Sequence, residues 1–362
     1  MAPPQLAGGL LEGVRVLDLG IWRPVPYATQ LLVELGAEVI KVEPPGGDPM
    51  RMYPVLFAIL NAGKRSVAAD LKDAGQRSAV LALAREADVV TEGFRPGVAA
   101  KLGVGPDDVR AASPRAIYCS ISGFGQTGPA RDVSGHDLSY QAMAGLLEPK
   151  GDGAPVVARP PVADIAAGAY AAMAICAALV RAGRTGEGEV IDVAMTDVLA
   201  TWTGPAAALA SGDHVGGQMP GYGTFRTADG WIALSVINED HFWRALMDGI
   251  GHPELAGLTM AERYPRGAEL QKVLADAVRE RGRDELVATL GTEGVPIAAV
   301  LGQHEMPSDP HLVARGLFRT KLDGTQVMRH PVKLAEHPAA DLDDVPSVTP
   351  LADGVPEWTP RH

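Results

Sequence analysis

Five short apolar runs mark the first 122 residues, at 14–19, 38–43, 66–71, 88–92 and 116–122, with helix-like stretches at 27–35 and 73–87 among them. Neighbouring parallel strands need long crossovers, usually helical, so this rhythm predicts an α/β chain with a parallel sheet and helices on both faces. Proline and glycine mark the joints. Pro26 precedes the first helix and Gly36 follows it, where a missing N–H and a permissive backbone are tolerated. Pro44-Pro45-Gly46-Gly47-Asp48-Pro49 reads as a turn after the second strand.

The pattern changes at Gly183-Arg184-Thr185-Gly186-Glu187-Gly188, which turns into a strand at 189–193 and a helix from Thr196. The Gly-rich run 212–223 reads as a long loop. A strand at 231–236 and helices at 240–249, 268–281 and 283–290 then make a smaller α+β unit. The tail from Ala335 is rich in Pro and Asp and shows no period.

Composition narrows the function classes. The 362 residues carry a net charge of −12, which disfavours non-specific nucleic-acid binding. The apolar run 165–180 is shorter than the ~20 residues that span a bilayer, so a buried helix is expected there and no membrane span. Met1 to Glu12 has no basic segment leading into an apolar core, as a signal peptide would. Two cysteines, Cys119 and Cys176, in apolar contexts argue against a disulfide framework or a Cys-rich metal site. A soluble cytoplasmic enzyme is the expectation.

No phosphate loop, His-Glu-x-x-His or nucleophile elbow occurs. Gly20-Ile21-Trp22-Arg23-Pro24-Val25 falls where a dinucleotide fingerprint would, but lacks its second and third glycines. Three places merit attention. His136 and Asp137 open a helix expected over 137–147, beside unpaired backbone N–H groups. Either Asp137 only caps that helix and His136 is an ordinary histidine, or the pair is functional. Asp164 heads the apolar run, as a helix cap or as a carboxylate whose surroundings tune its proton affinity. Arg23, after the first strand, pairs either with an internal acid such as Glu43 or Asp48, or with a ligand. Glu239, after the strand at 231–236, reads on its own as a turn carboxylate or a helix cap.

Several longer stretches occur together: 31–43, Lys64-Arg65-Ser66 with Asp70-Leu71-Lys72, Arg95-Pro96-Gly97-Val98, Gly123-Phe124-Gly125-Gln126-Thr127-Gly128-Pro129, Gly135-His136-Asp137, and 309–318. In this order and spacing the chain resembles the class III CoA-transferase family (CaiB/BaiF type) over roughly residues 10–340, closest to its α-methylacyl-CoA racemase subfamily. The resemblance implies a Rossmann-like large domain over 1–200, a linker at 201–224, a small α+β domain over 225–325, and a segment 326–362 that returns to the large domain. It also implies an interlocked homodimer.

The resemblance further implies an acyl-CoA substrate, with no cofactor beyond its CoA moiety and no metal. Asp164 matches the family's catalytic acid, a nucleophile in the transferases and one of two bases in the racemases. His136 would be the second base. Glu239, or Asp240 one residue on, would pair with the partner chain's histidine. Ala69, Leu71, Lys72, Arg95, Lys101 and Tyr140 match positions lining CoA, whose phosphates call for charge-assisted hydrogen bonds. The Pro44–Pro45 pair replaces an expected CoA-holding Arg, for which Arg51 is a possible substitute. The expected activity is racemisation of 2-methylacyl-CoA by two-base proton transfer through an enolate, with N–H groups at the Asp137 helix start holding the oxyanion. CoA transfer through Asp164 is the alternative.

Overall fold

A computed structural model describes residues 8–147, 153–210, 219–321, 324–351 and 354–361. The chain divides into two units, Met1–Ala208 with Gly316–His362, and Leu209–Arg315. In the first unit the order is β1 (Arg15–Asp18), α1 (Pro24–Glu34), β2 (Glu38–Glu43), α2 (Pro54–Asn61), β3 (Arg65–Ala68), α3 (Ala74–Glu86) and β4 (Val89–Glu92). There follow α4 (Val98–Lys101), α5 (Pro106–Ala112), β5 (Ile117–Ser122), α6 (Asp137–Met143), α7 (Val162–Thr185), β6 (Val190–Ala194) and α8 (Met195–Ala210). The second unit holds β7 (Tyr222–Arg226), β8 (Trp231–Ser235), α9 (Asp240–Gly249), α10 (Met260–Arg263), α11 (Gly267–Val278), α12 (Arg283–Thr292), β9 (Ile297–Ala299) and α13 (Pro310–Ala314). The chain then adds β10 (Phe318–Thr320), β11 (Gln326–Met328) and β12 (Val348–Pro350) to the first unit.

The first unit is built on a seven-stranded sheet in the order β12-β3-β2-β1-β4-β5-β6, with every neighbouring pair parallel. This contains the Rossmann order 3-2-1-4-5-6, whose strand direction of growth reverses between β1 and β4. Burial on both faces explains the continuous apolar runs. Val16, Val39, Val89 and Ile117 point into one core, and their neighbours Leu17, Ile40, Val90 and Tyr118 into the other. The second unit folds β7-β8-β9 into an antiparallel sheet around Trp243, Leu246, Leu270 and Leu286.

Helix α7 is the centrepiece of the first core. By length and composition it is long and apolar enough to cross a membrane, longer than the run that marked it in the sequence. Its Ala163, Ala167, Ala171 and Ile175 are fully buried. Gly168 brings it against α1: a Cβ there would lie 2.8 Å from the Pro24 carbonyl oxygen and 3.3 Å from the Ala28 nitrogen. Small residues thus let two helix backbones approach closely.

Some boundaries differ from expectation. α1 starts at Pro24, because both prolines fit the first turn, where N–H groups have no intrahelical acceptor. α6 stops at Met143 rather than 147, and α8 continues to Ala210, through the start of the expected linker. The run 212–223 lies mostly outside the described residues, and its end opens β7.

Candidate active site

Ligands of open α/β sheets bind at the carboxyl ends of the strands, where the strand order reverses. Here that crevice lies between the loop after β1, with Arg23, and the loop after β4, with Arg95.

The β1 loop is fixed from below by buried charges. Lys41, fully buried, pairs with Asp48 at 2.9 Å and donates to the Gly20 carbonyl at 2.5 Å. Lys64 donates to Asp18, Thr29 and Asn61 at 3.2, 2.8 and 3.0 Å, and to the Pro26 carbonyl at 3.0 Å. Burial alone would raise the Asp18 carboxyl, but Lys41 and Lys64 outweigh it and hold it below the usual range. Above this frame Trp22 sits at φ 63°, a left-handed conformation unusual for a bulky residue, with its N–H on Asp48 Oδ1 at 3.2 Å. The loop's shape is over-determined by its supports, and Arg23 follows directly.

The acids that offered Arg23 an internal partner are both taken. Asp48 holds Lys41, and Glu43 receives Arg51 through two hydrogen bonds of 2.7 and 2.6 Å. Arg51 also reaches the Pro346 carbonyl and lies 4.0 Å over the Phe57 ring. It is therefore committed to the fold, which removes it as the substitute CoA-holding arginine. Among the described residues nothing forms an ion pair or hydrogen bond with the Arg23 guanidinium.

Asp164 lies in the first turn of α7, but it does not cap the helix. Asp137, the first residue of α6, does so from another element. Its Oδ1 accepts the N–H groups of Ala163 at 2.7 Å and of Asp164 at 3.2 Å, and Gln141 donates to its Oδ2. Burial, and next the Asp137 charge, push the Asp164 carboxyl up to about 6, while Arg23 pulls the other way. Tyr140, one turn into α6, is buried and donates to the Gly135 carbonyl at 2.6 Å. Burial and then Asp164 raise its phenol, and Arg95 opposes them. A Cβ on Gly123 or Gly135 would collide with the Tyr140 ring, so both glycines make room for it. The structure thus gathers Asp137, Tyr140, Asp164, Arg23 and Arg95 in one electrostatic neighbourhood.

The remaining expected residues lie as follows. His136 is the exposed residue before α6, with extended backbone, and among the described residues its imidazole makes no hydrogen bond. Ala69 is buried, Leu71 half-buried and Lys72 exposed in the loop after β3; Lys101 is exposed at the end of α4. These loops share the carboxyl edge of the sheet, but β2 and β1 lie between β3 and β4. Glu239 belongs to the second unit, where its Oε2 accepts the Ile237 N–H at 3.1 Å. Its neighbour Asp240 is held by the buried Arg263 at 2.7 Å. Of the two, Asp240 is the one in a contact ion pair, while the Glu239 carboxylate is held by backbone N–H groups.

Sequence reading passed over Gln141, although its i,i+4 spacing from Asp137 was visible, and also Gly168 and Glu92. Glu92 ends β4, beside Ser120 on β5, and accepts the Phe94 N–H at 2.6 Å. Burial pushes its carboxyl up to about 7.

The family model of CoA-transferase family III matches residues 11–349. The succinate–glutarate CoA-transferase of Agrobacterium fabrum is 36% identical, over 91% of this chain and 90% of its own. The human alpha-methylacyl-CoA racemase is 32% identical, over 86% and 82%. The orthorhombic crystal structure of Rv3272 from M. tuberculosis superposes with a TM-score of 0.86 at 34% identity, covering 94% of this chain and 97% of that one. An α/β sheet of Rossmann order, an acid at the head of a buried helix and a match over nearly the whole sequence agree: this chain belongs to CoA-transferase family III, a family of enzymes.

Proposed function

We propose that the protein transfers CoA between an acyl-CoA thioester and a carboxylic acid, with Asp164 as the nucleophile. The observation that carries this is the setting of Asp164, at the head of a buried helix with a carboxyl titrating at about 6. At neutral pH it is ionised, yet desolvated enough to attack.

The chemistry runs in four displacements. The Asp164 carboxylate attacks the thioester carbonyl, the C–S bond breaks, and a mixed anhydride forms with release of CoA thiolate. The thiolate attacks the Asp164 carbonyl of that anhydride, freeing the first acid and leaving CoA as a thioester on Asp164. The acceptor carboxylate then displaces the thiolate, forming a second anhydride. Thiolate attack on its acyl carbonyl yields the new acyl-CoA and restores Asp164. Each step is acyl transfer, and the only cofactor group it needs is the CoA of the substrate.

Lys72, Arg95 and Lys101 supply cations for CoA phosphates, with Ala69, Leu71 and Tyr140 as apolar and aromatic neighbours. The reading also takes the enzyme to be a cytoplasmic interlocked homodimer. The named activity of the 36% identical relative supports transfer over racemisation. Gly135-His136-Asp137 is the feature that favours the second reading, a racemase using His136 and Asp164 as bases with Glu239 supplied by the partner subunit.

Incubation with an acyl-CoA and no acceptor, followed by borohydride or hydroxylamine trapping and peptide mass analysis, tests this. Modification confined to the Asp164 peptide is expected. An unmodified Asp164, together with acceptor-independent exchange of the α-hydrogen with solvent, overturns transfer in favour of the racemase.

A further inference from the structure

We propose that Arg23 receives the second carboxylate of a dicarboxylic acid, so that the enzyme selects dicarboxylates over monocarboxylates as CoA acceptors. This deepens the transferase reading and rests on it.

Three observations place a carboxylate receptor here. The first is supply. A half-buried guanidinium needs an anion, and both acids near it on the β2 side are spent, Asp48 on Lys41 and Glu43 on Arg51. The remaining nearby acid is Asp164, the reacting group itself. Among the described residues no carboxylate, Asp164 included, forms a contact ion pair or hydrogen bond with the Arg23 guanidinium.

The second is position. Pro24 touches α7 at Gly168, one helical turn beyond Asp164, so the backbone contact that joins the two helices also sets Arg23 beside the nucleophile. Its charge acts directly on Asp164. Arg95 differs: it is exposed, and its charge acts on Tyr140. An exposed cation at the crevice mouth suits a phosphate, whereas one beside the reacting carbonyl suits the acyl end.

The third is rigidity. The loop that carries Arg23 is held by Lys41 on the Gly20 carbonyl, by Asp48 on the Trp22 N–H, and by the Tyr27 N–H on the Arg23 carbonyl at 2.8 Å. A strained Trp22 backbone persists only because these supports outweigh its cost. A planar fork fixed in this way reads a carboxylate through paired hydrogen bonds, which a lysine cannot reproduce.

The test compares acceptors that differ only in the second carboxylate: succinate against butyrate, and glutarate against valerate, with one acyl-CoA donor. For the wild type kcat/KM is expected to favour the dicarboxylate by ~10²-fold or more, since a site built for a polar group discriminates strongly against its absence. In Arg23→Gln that ratio should collapse to within a few-fold, mainly through KM for the dicarboxylate, and Arg23→Lys should recover part of it. The ratio cancels any general loss of folding or of Asp164 reactivity. An unchanged ratio in Arg23→Gln, or a wild-type preference for monocarboxylates, overturns the inference while leaving CoA transfer standing. Equal weakening of every CoA ester would mean that Arg23 binds the CoA moiety, and also overturns it. Absence of CoA transfer to all four acids sinks the transferase reading and this inference with it.

Discussion

Asp137 caps the helix that carries Asp164. One oxygen of its carboxylate holds the N–H of Ala163 and of Asp164 itself, across 26 and 27 residues of sequence. The contact fixes the backbone under Asp164, and the same negative charge makes Asp164 harder to ionise. The two N–H groups hold the Asp137 carboxylate in place, and its charge in turn disfavours the Asp164 anion.

Asp137→Asn separates these two effects. The amide oxygen still accepts the two N–H bonds, so the helix end survives at a cost of ~1 kcal/mol. Loss of the charge lets Asp164 ionise more easily. The acid limb of the kcat/KM profile, near pH 6 in the wild type, is expected to move to lower pH. A limb that stays in place would show that Asp137 acts only through the backbone.

Two raised carboxyls make stability depend on pH in a defined sense. Asp164 titrates at about 6 against an ordinary 3.8, and Glu92 at about 7 against 4.5. In each case the unfolded chain releases its proton first, so the stabilisation present below the ordinary value is lost as pH rises to the folded one. Each contributes at most ~3 kcal/mol. The thermal stability of the wild type should therefore fall between about pH 4 and 7 through these groups. Asp164→Asn removes the lower part of that decline and Glu92→Gln the upper part, each raising Tm by a few °C above pH 7. Melting curves of both variants at pH 4 and pH 8 decide the matter: a gain equal at both pH values would refute the linkage.

Gly168→Ala tests the α1–α7 contact. The added Cβ would meet the Pro24 carbonyl oxygen and the Tyr27 ring, each at 2.8 Å, and a backbone oxygen cannot swing aside. Overpacking of this kind costs ~1–3 kcal/mol. Because Arg23 and Asp164 flank the contact, kcat/KM should also fall, by up to ~10²-fold for a shift near 1 Å. Full activity with an unchanged Tm would mean that the helices separate freely there.

The strands were legible because both faces of the sheet are buried, leaving runs such as Val16-Leu17 and Val89-Val90 apolar at every position. α2 was not legible: Pro54–Asn61 is apolar nearly all round, with Val55 and Ile59 exposed, and so shows no period. β12 was hidden for another reason. Val348–Pro350 joins the sheet only by pairing with Ser66, Val67 and Ala68, a partnership that no local pattern records. The site divides in the same way. Asp164 was visible as an acid heading an apolar run. The cap from Asp137, and the pairing of Glu43 with Arg51 that frees Arg23, exist only once distant segments are folded together.

His136 separates the two activities open to this family. In CoA transfer it touches no required bond, because the Asp164 carboxylate attacks and the leaving thiolate needs no proton. In racemisation it is one of two bases, and its loss removes the ~10²–10⁴-fold typical of such a group. His136 is exposed, and among the described residues no hydrogen bond orients its imidazole for proton transfer. His136→Ala is therefore expected to keep CoA transfer within about tenfold of the wild type, a loss below the range of a general base. Asp164→Asn should abolish transfer while still binding acyl-CoA. Both variants are assayed for transfer to a free acid and for exchange of the α-hydrogen of a 2-methylacyl-CoA in deuterated water. Exchange by the wild type without any acceptor, lost in His136→Ala, would reverse the assignment and make Asp164 a base rather than a nucleophile.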